Sequence, residues 1–285
     1  MKNFRQLHDE LLDYEGKQLY QDVLEPFIPH GVERMESLAS LAQLAQSPPD
    51  SVEEEKLWEL FALNVCNDYL LLPLRVSKQE YLQFFTKLGF SQIETSKTFN
   101  PFIHEIVEVA NWLKPEEGIE LGARYWPGLK FGELIFSRCA VDVYCHKSFG
   151  IVDGVADNST LHFTNRRLRR KTNDPSYGWG SNSRWRTKFC RNYSVDDYIF
   201  LNIDSKHDLA EKLSSDVLSD LTPAAARELL YHRCFVSKIL KNDDVSPYEW
   251  HLTLKPELQF WPITKDMIVP TDQALLTLGI PQLKD

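Results

Sequence analysis

The densest concentration of side chains able to do chemistry runs from Asn165 to Tyr193, NRRLRRKTNDPSYGWGSNSRWRTKFCRNY. It holds nine Lys or Arg against one acid, Asp174: a local charge of +8 in a chain of −9, which leaves −17 for the remainder. Arg166, Arg167, Arg169 and Arg170 close a stretch of strand character, and alternation puts Arg167 and Arg169 on one face and Arg166 and Arg170 on the other. Gly178 to Ser183 makes a glycine–aromatic turn around Trp179, with the Asn182 amide beside it, and Arg184, Trp185 and Arg186 follow. Guanidinium groups recognise carboxylates and phosphates bidentately, and Trp rings stack on bases or on Arg. Two readings follow. The segment is a surface for an anionic partner, either protein carboxylates, a nucleotide or a nucleic-acid backbone. Alternatively its cations are consumed internally by acids such as Asp142, Asp153 and Asp157, or guard an edge strand against further pairing.

The other motifs are weaker. His104-Glu105-Ile106-Val107-Glu108 reads HExxE and lacks the second His of a zinc-binding HExxH helix. Cys145 and His146 are adjacent in a predicted strand, so they point to opposite faces and do not form a nucleophile–base pair. His162, near the Arg cluster, is placed for general acid–base work on a phosphodiester, but more simply for a core or edge role. Glu228 and His232 lie one helical turn apart and read as an intrahelical pair. The GxxxxGK[ST], GxGxxG and GxSxG patterns do not occur. No catalytic set, cofactor or metal site is therefore expected. Five cysteines, odd in number and without a CxxC, read as buried thiols in a reducing compartment.

These residues need elements to hold them. At 285 residues, with 43% apolar and 12% aromatic side chains, the chain can bury a sizeable core. We expect a single domain over 1–285 of α+β class: a helical N-terminal portion over 1–90, an antiparallel β-meander over about 91–203, and helices with Pro-rich loops over 204–285. Helical spacing of Phe4, Leu7, Leu11 and Leu12 opens the first portion, and a second helix is expected over about 31–45. Capping boxes are read at Ser51–Glu54 and Ser77–Glu80, and Gly89 suits a left-handed helix end. Strands are expected at Phe131–Phe136, Ala140–Tyr144, Thr160–Thr164, Trp185–Phe189 and Tyr198–Ile203, with a hairpin turn at Asp153-Gly154. Asp204 or Ser205 caps a helix, Thr222-Pro223 starts another, a short strand covers His251–Leu254, and a last helix covers Asp272–Leu278.

The start carries charges throughout and lacks an apolar signal region, and no apolar run approaches the ~18 residues of a membrane span. A cytoplasmic protein without membrane contact is expected. Its functional reading is a non-catalytic binding factor for a protein partner, such as an immunity protein or inhibitor that neutralises a toxin or enzyme. The alternative is an enzyme or binding module for a phosphorylated or nucleic-acid ligand, held by the 165–193 segment.

Overall fold

The computed structural model describes residues 2–71, 75–94, 98–149, 151, 189–214, 250–256, 261 and 263–281. Asn3 and Gln6 exchange side-chain and backbone hydrogen bonds in a capping box that opens α1 (Phe4–Asp13). The helix buries Phe4, Leu7 and Leu11 against α3 (Glu54–Leu70). Between them a π turn (Tyr20–Leu24) runs directly into α2 (Glu25–Ser37). Every residue of α3 from Leu60 to Leu70 is buried, so this helix is apolar all round and sits at the centre. Its Asn67 accepts from the Tyr81 hydroxyl (2.6 Å) and donates to Ser137 Oγ (3.3 Å), which ties α4 (Lys78–Lys87) to the sheet through satisfied buried groups. At the start of α4, Ser77 and Glu80 form the expected capping box, and Gly89 ends the helix at φ +90°.

The strands in chain order are β1 (Ser91–Gln92), β2 (His104–Ala110), β3 (Ile119–Arg124), β4 (Leu129–Phe131), β5 (Leu134–Ser137), β6 (Cys139–Cys145), β7 (Tyr193–Val195), β8 (Tyr198–Leu201), β9 (His207–Asp208), β10 (Trp250–Leu254) and β11 (Ile268–Val269). Helices α5 (Leu209–Ser214) and α6 (Thr271–Thr277) complete the described elements. A large sheet has the order β1-β4-β5-β7-β8-β10-β11, antiparallel throughout, with β9 pairing β10 in parallel. A small sheet has the order β2-β6-β3, its β2·β6 pair parallel and its β6·β3 pair antiparallel. The fold is α+β, with helices flanking mainly antiparallel strands. No described helix is long and apolar enough to cross a membrane.

The large sheet shares one apolar core with α1 to α4, in which Phe85 meets Phe84, Phe90 and Phe136. The small sheet has two unlike faces. Cys139, Val141, Val143 and Cys145 of β6 turn inward with Ile106 and Val109 against Phe99, Ile151 and Trp261. The alternate residues Ala140, Asp142 and Tyr144 face the other way. Among the described residues, Val107, Trp126 and Leu71 pack against the Ala140 end of that outer face, and Asp142 next along it is buried as well.

Several expectations are corrected. The second helix spans Glu25–Ser37 rather than about 31–45: Pro26 suits its first turn, and it accommodates Pro29 in its interior. Ser51 does not cap α3; its hydroxyl donates to the Pro48 carbonyl (2.6 Å) in a Pro-Pro turn, and Glu53 takes the N-cap position without a side-chain bond. The Phe131–Phe136 strand is a hairpin of β4 and β5 broken at Gly132 (φ +58°), where a Cβ would lie 2.4 Å from the Ala42 carbonyl oxygen. The helix expected after Asp204 begins at Leu209, and Asp208 accepts from Ala210 N–H at its start (2.8 Å). By contrast, β6, β8, β10 and α6 lie where the sequence pattern puts them, within a residue or two. The Asp153-Gly154 turn, the Thr160–Thr164 strand, the site of His162 and the Thr222-Pro223 helix start with its Glu228–His232 pair lie outside the described residues.

Candidate functional site

Arg166, Arg167, Arg169, Arg170, Trp179, Asn182, Arg184, Trp185 and Arg186 lie outside the described residues, which resume at Phe189. The end of the basic segment is thus the part whose surroundings are visible. Phe189 stacks on Phe136 (5.6 Å between centroids, 14° between planes) and donates its N–H to the Leu57 carbonyl (3.1 Å). Arg191 is fully buried and its guanidinium is saturated. It pairs bidentately with Asp204, and donates to the Ser47 carbonyl (2.6 Å), Ser47 Oγ (3.1 Å), the Tyr193 hydroxyl (3.1 Å) and the Pro48 carbonyl (3.4 Å). Burial opposes the Arg191 charge, but the Asp204 carboxylate outweighs it and holds the guanidinium above its ordinary pKa. This cation of the segment is therefore structural, and its acid is Asp204.

The remaining motifs resolve into structure. HExxE lies on β2, and among the described residues no group of three His, Cys, Asp or Glu is placed to hold a metal ion. His104 is 1% exposed; its Nδ1 accepts from Asn100 N–H (3.0 Å), so its proton sits on Nε2. Burial, reinforced by the charges of Arg124 and Arg138, lowers its pKa to about 4, and the ring is neutral at pH 7. Cys145 Sγ receives Asn111 Nδ2 (3.3 Å), while His146 Nδ1 turns to Ser148 Oγ (2.8 Å), so the two diverge as strand alternation requires. Burial raises the Cys139 and Cys145 thiols, which makes them poor nucleophiles.

Sequence reasoning missed a second buried pair. His251 Nδ1 donates to the Ser205 carbonyl (2.7 Å), and its Nε2 lies 3.6 Å from Asp208 Oδ2. Asp208 also accepts from Thr271 N–H (2.7 Å). Burial raises the Asp208 pKa, but His251 and the two backbone donors prevail and keep it below its ordinary value. The pair fastens the starts of α5 and α6 to β10, a structural role. Parallel pairing of His207-Asp208 with Trp250-His251 brings these residues together, and nothing local in the sequence announces it.

Among the described residues, the N-terminal helical layer presents an acidic, exposed surface. Residues 1–60 carry thirteen acids against five bases, a net of −8 in a chain of −9. Asp9, Asp13, Asp22, Glu25, Glu33 and Glu36 are all exposed there. A groove of about 530 Å³ runs along α1, lined by Lys2, Gln6, Asp9, Glu10, Asp13, Tyr14 and Val23. Lys2 pairs with Glu10 (2.6 Å), and Tyr14 donates its hydroxyl to Asp22, which raises the phenol pKa. A running charge count along the chain would have located this layer; the amphipathic pattern of α1 alone would not.

Comparison with protein-family models, with characterised proteins and with solved structures finds no match to this chain.

Proposed function

We propose that this chain is a non-catalytic binding factor that captures a cationic protein on its N-terminal helical layer, as an inhibitor or immunity protein neutralises a toxin or enzyme. The supporting observation is the net charge of −8 on residues 1–60, displayed on exposed helix faces beside an open groove. Such a field steers a cationic partner and raises association rates by roughly 10- to 1,000-fold at low ionic strength. The chemistry of Arg191, His104, Cys145 and the Asp208–His251 pair supports this reading, since each is engaged in holding the fold.

The test is recovery of partners from native lysate on the tagged full chain, with nuclease treatment and stepwise salt, beside an Asp9→Lys/Asp13→Lys/Glu33→Lys variant. One protein is expected at fixed stoichiometry, released by salt and lost with the charge reversals while the thermal transition stays in place. Equal recovery by both forms would sink the helical-layer reading. Recovery of nucleic acid or a nucleotide released by salt would transfer the function to the 165–193 segment.

A further inference from the structure

Trp112 is 65% exposed, a large apolar ring left in water just beyond the end of β2. It is not an isolated surface residue. Its ring lies 5.5 Å from that of Tyr144, tilted by 45°. Tyr144 stands on β6, the middle strand of the small sheet, opposite Ala110 of β2 and Glu120 of β3. On the far side its ring lies against Gly122 of β3 so closely that a Cβ there would come within 2.6 Å of Tyr144 Cε2. Three strands thus build one shelf: Trp112 at one side, the Tyr144 ring in the middle, and Glu120 with the bare backbone of Gly122 at the other. On this part of the outer face Trp112 and Glu120 are exposed and Tyr144 is part-buried.

Among the described residues, carboxylates outnumber cations around the rings, with Lys114 and Lys147 as cations near by in the chain. Glu120 is exposed, and no partner for its carboxylate is seen among the described residues. The register sets Glu108 opposite Asp142, two residues before Tyr144 on the same face. Asp142 accepts from the Tyr125 hydroxyl (2.7 Å). The turn that follows Trp112 adds exposed Glu116 and Glu117 against Lys114. Aromatic faces carry negative potential and attract a cation within about 6 Å of the ring centre, and a neighbouring carboxylate adds to that field.

We infer that this part of the small sheet's outer face is a binding site for an organic cation, the ammonium or guanidinium head of an extended side chain, seated on Trp112 and Tyr144 and faced by Glu120. Apolar stacking alone would not need the carboxylate. A salt bridge alone would not need two rings cleared by a glycine. The site shares no residue with the helical layer, so either can fail without the other.

The test is a ¹⁹F NMR titration of the full chain labelled with 5-fluorotryptophan, with the Trp112 signal assigned by its absence in Trp112→Phe. The probes are the Nα-acetyl amides of lysine, trimethyl-lysine and arginine, the uncharged neohexyl isostere of trimethyl-lysine, and methyl β-glucoside. A saturable shift of the Trp112 signal is expected with at least one cation, about tenfold weaker with the neutral isostere. Tyr144→Ala should weaken cation binding by about tenfold and Glu120→Gln by about threefold, each with an unchanged thermal transition. Gly122→Val, which displaces the Tyr144 ring, should act like Tyr144→Ala. Equal binding of isostere and cation, a response to the glucoside instead, or no saturable shift with any cation overturns the inference.

Discussion

Arg191 and Glu120 both carry charge beside a sheet, and the two sheets treat that charge differently. Next to β7 the guanidinium is wholly buried and answered within the molecule by Asp204, Ser47, Pro48 and Tyr193. On β3 the Glu120 carboxylate is exposed beside the part-buried Tyr144 ring. Charge density singled out the first region, yet its described cation serves the fold. The second lies apart from the basic segment, yet it presents groups that a ligand can reach. Accessibility together with complementary chemistry separates a candidate site from a buried network, and the count of charges does not.

The sharpest way to break this comparison is to remove the buried cation. Arg191→Ala leaves Asp204, the Ser47 carbonyl and the Tyr193 hydroxyl without their donor, and is expected to cost about 3–5 kcal/mol in urea denaturation. A loss under ~1 kcal/mol would mean that water replaces the guanidinium and that the large sheet is not closed around it. A buried histidine of the small sheet gives the next effect. His104 titrates near 4 in the fold, against an ordinary value near 6.5. Above pH 6.5 both states are neutral and its contribution is complete. As pH falls toward 4 the unfolded chain takes up the proton first, so stability declines by about 3 kcal/mol across that window and then levels. Denaturation curves at successive pH values should show this slope, and His104→Gln should flatten it. The smallest effect is expected at the shelf: Trp112→Ala should shift unfolding by no more than about 0.5 kcal/mol, since the ring is already in water. A larger loss would make Trp112 part of the packing and weaken the contrast between the sheets.

Local signals were legible where nothing distant competed. The Ser77–Glu80 box closes within one turn, and Gly89 needs only its own left-handed geometry. Ser51–Glu54 has the same spelling, but the Pro48-Pro49 turn claims the Ser51 hydroxyl. The break at Gly132 was hidden because its cause is Ala42, which reaches the hairpin from a different part of the chain and accepts Glu133 N–H at 2.7 Å. Asp204 reads as a helix cap until Arg191 is seen beside it. The α+β class was readable from periodicity because each helix and strand carries its own pattern. The shelf of Trp112, Tyr144 and Glu120 was not, because a parallel pairing of β2 with β6 and an antiparallel pairing of β3 assemble it, and neither register is written in any one segment.

Gly122 carries an evolutionary consequence. With Tyr144 Cε2 only 2.6 Å from where a Cβ would stand, no other residue fits unless the ring moves. Positions 112, 122 and 144 are therefore expected to change together among descendants of this gene: a side chain gained at 122 should accompany a smaller residue at 144, and then the exposed Trp at 112 loses its neighbour and its reason to persist. Three positions far apart in the chain would record, as correlated substitutions, whether a lineage has kept the shelf.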